Sequence, residues 1–170
     1  AYLMLEDGSV YEGTARGDFK ETACEIVFNT SMTGYVEILT DPSYAGQGVV
    51  MTYPMIGNYG ISREDFESER LQPSAFIVHE LSSDPSNFRC TDTIENLLKE
   101  YNIPCISGVD TRAVVKKLRE SGTMRGVLTS DIGDRERLMD VIKSFRESAL
   151  VGSVTAKLTK VYGEENTGAE

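Results

Sequence analysis

Two apolar runs joined by a long polar segment constrain the fold of this chain more than any other feature. The runs are residues 26–28 and residues 49–53, and residues 29–48 between them are rich in Asn, Thr, Ser, Gly, Asp and Pro. Short apolar runs bounded by turn-forming residues are typical of buried strands. A connection as long as this one, inside a compact domain, usually carries a function or contains structure of its own.

The composition is that of an ordinary globular chain. Its 170 residues are 40% hydrophobic and 26% charged, which suits one domain with a core of its own. No apolar run approaches the roughly 18 residues needed to cross a bilayer, and the N-terminus lacks the pattern of a secretory signal. We therefore expect a cytoplasmic protein with no membrane partner.

The charge argues against nucleic acid as a partner. The net charge is −10, whereas proteins that bind nucleic acid present a basic face. The one dense basic cluster is Lys116, Lys117 and Arg119, and we expect it to be the solvent-exposed face of a helix. An acidic chain can still contain a local site for an anion.

The cysteines and the single histidine argue against a metal site. Cys24, Cys90 and Cys105 are far apart in the sequence and form no CxxC pair, so neither a zinc site nor a thioredoxin-like site is predicted. Cys105 lies within an apolar strand and is expected to be a buried structural thiol. His79 follows an apolar run and is expected at the end of a strand.

The N-terminal half is predicted to be rich in strands. Asp7 and Gly8 form a turn pair that favours a type I′ hairpin. A short helix is predicted over residues 33–39, capped by Thr33 or Ser31, although a glycine inside it weakens the prediction. The predicted strands are residues 2–5, 10–11, 26–28, 49–53 and 75–78. Residues 58–69 are polar and predict a surface loop.

The C-terminal half alternates helices and strands. Asp92 and Glu95 resemble a capping box at the start of the first helix, and Asp110 and Gly122 are predicted to begin and end the second. The helices are predicted around residues 94–101, 114–118 and 138–145, and the strands at 103–106 and 126–129. This order predicts an α/β domain of mixed α+β character, layered, with helices covering one face of the sheet system.

Motifs of a self-sufficient active site are absent from the sequence. There is no phosphate-binding GxxxxGK[ST] loop and no GxSxG nucleophile turn, and the GxG at residues 46–48 lacks its third glycine. Acidic pairs such as Glu64 and Asp65 are expected to face solvent. The residues leave three readings open: one part of an enzyme, a non-catalytic binding or scaffold module of a larger cytosolic assembly, or part of another layered hydrolase or transferase whose site forms between subunits.

A series of motifs then points to one family. The series comprises LEDGSVYEG at residues 5–13, EIVFNTSMTGY at 25–35, EILTDPSYAGQ at 37–47, TYPMIGNYG at 52–60, SNFR at 86–89 and DTRAVVKKLRESG at 110–122. In this order they resemble the N-terminal domain of the small chain of glutamine-hydrolysing carbamoyl-phosphate synthase. Met55 is a departure, because the family often has histidine there.

The resemblance implies a fold and a place in a larger enzyme. It implies a swivelling β/β/α domain over residues 1–150, with residues 151–170 as a linker or tail toward a C-terminal glutamine amidotransferase domain that does not follow here. That domain, with a Cys–His–Glu triad, hydrolyses L-glutamine in the complete enzyme. The large subunit uses the ammonia, with ATP and Mg²⁺, to make carbamoyl phosphate from bicarbonate for arginine and pyrimidine biosynthesis. The expected partners are the large subunit and the amidotransferase domain, with no cofactor and no catalytic residue in this domain.

The resemblance also assigns a role to Ser43. This residue matches the serine of the family's Asp-Pro-Ser-Tyr motif, which binds glutamine. It is therefore expected to be exposed on the face that meets the amidotransferase domain, with Gly34, Tyr35 and Asp41 holding its loop. The residues alone predict only that Ser43 hydrogen-bonds within its own turn. Residues 53–59, which are rich in aromatic and apolar side chains, either contact the large subunit or fold onto the core.

Overall fold

The computed structural model describes residues 1–87 and 90–146. The predicted tail, the last four residues of the predicted domain and two residues of the SNFR motif lie outside the described residues. The strands are β1 (Tyr2–Leu5), β2 (Val10–Glu12), β3 (Thr14–Arg16), β4 (Thr22–Asn29), β5 (Gln47–Met51), β6 (Met55–Ile56), β7 (Ala75–Ile77), β8 (Glu80–Leu81), β9 (Cys105–Ser107) and β10 (Met124–Thr129). The helices are α1 (Tyr35–Thr40), α2 (Ile94–Glu100), α3 (Thr111–Ser121) and α4 (Arg135–Ser144).

Eight strands form one mixed sheet in the order β2-β1-β10-β4-β5-β7-β9-β3. The central strands β4, β5, β7 and β9 are parallel, whereas β10 runs antiparallel to β4 and β3 runs antiparallel to β9. Strands β6 and β8 form a separate two-stranded parallel sheet. The predicted α/β class is confirmed.

Helices cover both faces of the large sheet. Because side chains alternate along a strand, Val49 and Met51 contact the cluster that contains α1 and α2, whereas Val50 contacts the cluster that contains α3. Helix α4 packs on Met4 and Val127, in a cluster of its own. The prediction that helices cover one face of the sheet is therefore wrong, because α3 covers the face opposite to α1 and α2.

Local signals define helix α3 at both ends. The carboxylate of Asp110 accepts a hydrogen bond from the backbone N–H of Ala113 at 2.9 Å, and Gly122, with φ of 84°, follows the last turn. Both predicted positions are confirmed. Helix α2 differs from its prediction, because its N-cap is Thr93, whose hydroxyl accepts from the N–H of Asn96. The predicted Asp92 instead accepts from the N–H of Thr93 at 2.7 Å.

The N-terminal hairpin forms as predicted but with another turn. Strands β1 and β2 pair antiparallel, and Gly8 has φ of 84°. Asp7 is not among the residues of positive φ, which a type I′ turn requires at both central positions. The N–H of Gly8 and the N–H of Leu5 bond to the carbonyls of Leu5 and Ser9. The prediction of a type I′ turn is therefore wrong, and the loop has three residues with a left-handed glycine at its end.

Cys105 and His79 lie where the sequence predicts. Cys24 and Cys105 are fully buried, and burial raises the pKa of each thiol to about 12. His79 lies just beyond β7, with Nδ1 at 3.0 Å from the carbonyl oxygen of Val109. Residues 1–87 and 90–146 contain no group of three or more metal-binding side chains. None of the helices described in these ranges is long and apolar enough to cross a membrane.

Candidate functional site

The candidate site lies in the connection between the neighbouring strands β4 and β5. This connection, residues 30–46, is called the Ser43 loop here. It contains the exposed residues 30–33, helix α1 and a single 3₁₀ turn, Pro42–Tyr44. The polar segment predicted to carry structure of its own therefore does so.

Helix α1 begins at a glycine and is held by an aromatic residue from the next motif. Gly34 is the N-cap, with φ of 80°, a conformation that glycine adopts without strain. The N–H groups of Gly34 and Tyr35 both donate to the hydroxyl oxygen of Tyr59, at 2.7 and 3.2 Å. The predicted caps, Thr33 and Ser31, are wrong, because the acceptor comes from a distant part of the chain.

The rings of Tyr35 and Tyr59 lock this arrangement. Their centroids are 4.2 Å apart with an interplanar angle of 22°, and the Tyr35 hydroxyl donates to the carbonyl of Gly60 at 2.7 Å. Tyr35 is buried, and burial raises the pKa of both phenols. Both rings therefore stay neutral at physiological pH, and their hydroxyl groups can donate and accept at once.

Asp41 fixes the turn that carries Ser43. Its Oδ1 accepts from the N–H of Ser43 at 2.8 Å and also from the Ser43 hydroxyl. Pro42 occupies the first position of the 3₁₀ turn, where its fixed φ suits the turn. The hydroxyl of Tyr44 accepts from Nδ2 of Asn29 at 2.9 Å, which ties the end of the turn to β4.

Ser43 is exposed and bonded within its own turn at the same time. The residue is exposed to solvent. Its hydroxyl donates a proton to Asp41 and accepts no hydrogen bond from any described residue. A hydroxyl oxygen has two lone pairs, so the oxygen remains able to accept a bond from a ligand. Gly34 and Tyr35 position α1, which leads directly into Asp41, and Asp41 holds Ser43 itself. The binding of glutamine stays a prediction.

The cysteines and the histidine of the described residues are engaged elsewhere in the fold, and the thiol of Cys90 donates to the carbonyl of Asp92 at 3.3 Å. Among the described residues, Cys24 and Cys105 are buried with thiols of raised pKa, and a protonated thiol is a poor nucleophile. His79 is engaged with a backbone carbonyl next to α3. The Ser43 loop therefore offers a hydroxyl and a carboxylate, held in place by its own hydrogen bonds.

Most of the segment at residues 53–59 folds onto the core. Tyr53, Ile56 and Tyr59 all pack in the cluster with α1 and α2. Met55 alone among its large apolar side chains is exposed, at 39% of its surface. Met32, in the Ser43 loop, is 69% exposed, and these two are the exposed large hydrophobic residues of the described chain.

Sequence reasoning missed the role of Tyr59. Its ring and hydroxyl organise the start of α1, 24 and 25 residues away in the sequence. The available signal was the presence of two aromatic motifs, residues 25–35 and 52–60, each without an obvious partner. Nothing in the sequence of either motif indicates that the two motifs are in contact.

Comparison with known proteins agrees with the motifs. The family model for the CPSase domain of the carbamoyl-phosphate synthase small chain matches residues 3–128. Three relatives are each named carbamoyl phosphate synthase small chain. That of Caldanaerobacter subterraneus subsp. tengcongensis is 56% identical over 128 residues, which are 75% of this chain and 36% of the relative. That of Clostridium perfringens is 48% identical over 165 residues, 96% of this chain and 47% of the relative.

The third relative is from Archaeoglobus fulgidus and is 52% identical over 139 residues, 82% of this chain and 39% of the relative. This chain thus spans less than half the length of these relatives. Among solved structures, an aminopeptidase from Aneurinibacillus sp. strain AM-1 is similar over 74% of this chain and 29% of its own, with a TM-score of 0.43 and 15% identity. That likeness is too weak to bear on fold or function. The match over residues 3–128, together with identities of 48–56%, shows that the chain belongs to the carbamoyl-phosphate synthase small chain family and corresponds to its CPSase domain.

Proposed function

We propose that this domain serves, within its complete protein, as the part of a glutamine-hydrolysing carbamoyl-phosphate synthase that frames the glutamine site and contacts the large subunit. Family membership supports this function over that of an unrelated scaffold module. The complete enzyme, a ligase, would take ammonia from L-glutamine through a glutamine amidotransferase domain. Its large subunit would use ATP and Mg²⁺ to form carbamoyl phosphate for arginine and pyrimidine biosynthesis in the cytoplasm. This domain itself would need no cofactor.

The exposed, internally braced Ser43 is the observation that carries the proposal. A ligand contact is strongest when the protein group is already held in position, because little conformational entropy is lost on binding. Asp41 holds both the N–H and the hydroxyl of Ser43, and Tyr44 is tied to Asn29. The hydroxyl therefore meets an incoming ligand in a fixed position.

The chemistry of the turn suits the polar end of an amino acid. While the Ser43 hydroxyl donates its hydrogen bond to Asp41, its oxygen can accept a hydrogen bond from an ammonium group. Rotation of the hydroxyl would instead direct the proton to a carboxylate oxygen of the ligand. Either way Ser43 binds and orients glutamine, while the nucleophile comes from the amidotransferase domain.

Replacement of Ser43 in the complete two-subunit enzyme tests the proposal. Ser43→Ala should weaken glutamine use by about 0.5–1.5 kcal/mol, the net value of one hydrogen bond, through a higher KM for glutamine. Synthesis driven by added ammonium should be unchanged, because it bypasses the glutamine site. Steady-state rates with each nitrogen source measure both effects.

Ser121→Ala is the matched control. Ser121 is exposed at the end of α3, and its side chain makes no hydrogen bond within the described residues. This variant should leave both activities unchanged. Equal loss of the glutamine and ammonia reactions in Ser43→Ala would assign Ser43 to folding, and an unchanged KM for glutamine would refute its role in binding.

A further inference from the structure

A second site candidate lies where parallel strands end beside helix α3. Thr30 and Thr52 directly follow β4 and β5, and His79 lies just beyond β7. Together with the exposed side of α3 they line a cleft of about 750 Å³, called the α3 cleft here. Ligands of open α/β sheets bind outside the carboxyl ends of the strands, and binding pockets typically measure about 300–1,000 Å³. Position and size therefore both suit a small molecule.

Three cations line one side of this cleft, and among the described residues only Arg119 has a partner, the ring of Phe28, whose centroid lies 5.7 Å from its guanidinium carbon. Arg112, Lys116 and Arg119 stand at i, i+4 and i+7 on α3, the spacing that places side chains on one face of a helix. None of them forms an ion pair with any described residue. The adjacent Lys117, by contrast, pairs with Asp7 at 2.9 Å.

Two carboxylates also line the cleft but leave it positive. Asp110 uses its carboxylate to cap α3, accepting from the N–H of Ala113 at 2.9 Å. Glu120 lies toward the other end of the helix. The three basic and two acidic lining side chains give the cleft a formal charge of +1, in a chain whose net charge is −10.

A nearly buried threonine lines the same space. Thr111 is 4% exposed and lines the cleft, and its hydroxyl makes no hydrogen bond to any described residue. No fully buried side-chain oxygen or nitrogen in the described chain lacks a partner, so this hydroxyl must still reach the surface. A hydroxyl that has no protein partner and reaches the surface can donate to, and accept from, a ligand in the cleft.

We propose that the α3 cleft binds a small organic phosphate. Arg112, Lys116 and the Thr111 hydroxyl would hold the phosphoryl oxygens beside the N-terminal half of α3, and the two cations would do so through charge-assisted hydrogen bonds. A phosphoryl group presents three oxygens and a charge of about −1.5 to −2 at neutral pH to these donors, whereas a carboxylate presents two oxygens and a single charge. The apolar side chains of Val115 and Pro54 also line the cleft, and they would contact the organic part.

Nuclear magnetic resonance of this 170-residue chain tests the proposal. The probe is phenyl phosphate, titrated at constant low ionic strength into ¹⁵N-labelled protein, with inorganic phosphate as the comparison. Saturable shifts are expected at the amides of Thr52, Thr111 and Arg112. Phenyl phosphate should bind more tightly, and equal affinity of the two probes would contradict the organic part of the proposal.

Variants of two adjacent lysines distinguish binding in the cleft from non-specific attraction of the anion to a basic surface. Lys116→Gln should weaken binding by about tenfold or more, as expected for the loss of one charge-assisted bond. Lys117→Gln removes the same charge outside the cleft and should change affinity by less than about twofold, as a small screened surface effect. Equal weakening by the two variants would show non-specific attraction and overturn the proposal, as would the absence of saturable shifts.

Thr111→Val provides a third variant that keeps the shape of the side chain. The hydroxyl has no protein partner, so its removal should not lower the thermal stability of the chain, whereas phosphate binding should weaken severalfold. A loss of stability with unchanged binding would assign Thr111 to the core and contradict its role at the site. The test is independent of glutamine, so it can fail while the function proposed for Ser43 stands.

Discussion

Gly60 shows how one backbone position supports the Ser43 loop from a distance. Its carbonyl oxygen accepts a hydrogen bond from the hydroxyl of Tyr35. The ring of Tyr35 in turn stacks on Tyr59. An added Cβ at Gly60 would clash with Sγ of Cys90 and lie 2.9 Å from its Cβ. The residue is therefore glycine for two reasons, its left-handed φ of 69° and the close approach of Cys90.

Gly60→Ala separates these two reasons when it is compared with Gly17→Ala. Gly17 has the same φ of 69°, but its added Cβ would meet only Cγ of Lys99, at 3.4 Å. We expect Gly60→Ala to lower the free energy of unfolding by about 1–3 kcal/mol more than Gly17→Ala does, since overpacking adds to the backbone strain. Urea denaturation of both variants measures the difference, and equal losses would show that strain alone requires the glycine.

At the scale of elements, one ion pair joins three parts of the fold. Glu21 immediately precedes β4. Its carboxylate accepts hydrogen bonds from both terminal nitrogens of Arg137 in α4, at 2.7 and 2.8 Å. It also accepts the hydroxyl of Thr129 at the end of β10, at 2.9 Å. A two-point contact of this kind holds its geometry better than a single surface pair.

The stability supplied by this pair should depend on pH. The Arg137 guanidinium, and to a lesser degree Thr129, lowers the pKa of Glu21 below its usual 4.5. The charged form is thus favoured in the folded state, and the stabilisation is present above pH 4.5 and is lost as the pH falls through the folded pKa. Both side chains are partly exposed, so Glu21→Gln should cost no more than about 1 kcal/mol at neutral pH.

A double-mutant cycle with Arg137→Gln checks this assignment. The two single variants should lose similar stability at pH 7, and the double variant should lose little more than either. The coupling should shrink toward zero as the pH is lowered below the pKa of Glu21. Additive losses at pH 7, or a coupling independent of pH, would show that the pair contributes nothing specific.

The positions of the helices could be predicted from neighbouring residues, whereas the contacts that distant residues make with them could not. Helix α3 has its apolar spacing, its cap Asp110 and its C-terminal glycine within one short stretch. Helix α1 depends on Tyr59, and α4 is joined to Glu21, which is 116 residues away. The one-residue shift of the α2 cap, from Asp92 to Thr93, arises because both side chains are good caps.

At the scale of the whole molecule, the same division applies to the two candidate sites. Ser43 could be assigned because a contiguous motif contains it. The α3 cleft could not, because Thr30, Thr52 and His79 meet α3 only through the order of strands β4, β5 and β7. In the sequence, Lys116 and Arg119 are simply a basic face; in the structure they border a cavity.

The chain on its own should not hydrolyse glutamine. Cys24 and Cys105 are buried with thiol pKa values of about 12, so at pH 8 they remain protonated. In the folded protein, only the half-buried Cys90 should react with a thiol reagent. In denaturant, all three cysteines should react. An ammonia-release assay on the purified chain should give no turnover, and steady turnover abolished by replacing a cysteine would overturn this expectation.

The exposed methionines should mark a contact with the large subunit. Met32 and Met55 are the large apolar residues that the described chain leaves exposed, and exposed apolar side chains are common at protein interfaces. We expect hydrogen exchange around residues 30–33 and 53–56 to slow in the complex, because burial of the two side chains also shields the adjoining backbone. In the complete small chain, Met55→Asp should weaken association, since a buried unpaired charge is costly.

Met139→Asp serves as the comparison, because Met139 packs at the edge of the α4 cluster. This variant should lower the stability of the domain without a specific effect on exchange at the two methionine segments. Unchanged exchange at residues 53–56 in a verified complex would remove that segment from the interface and leave Met55 as an isolated surface residue.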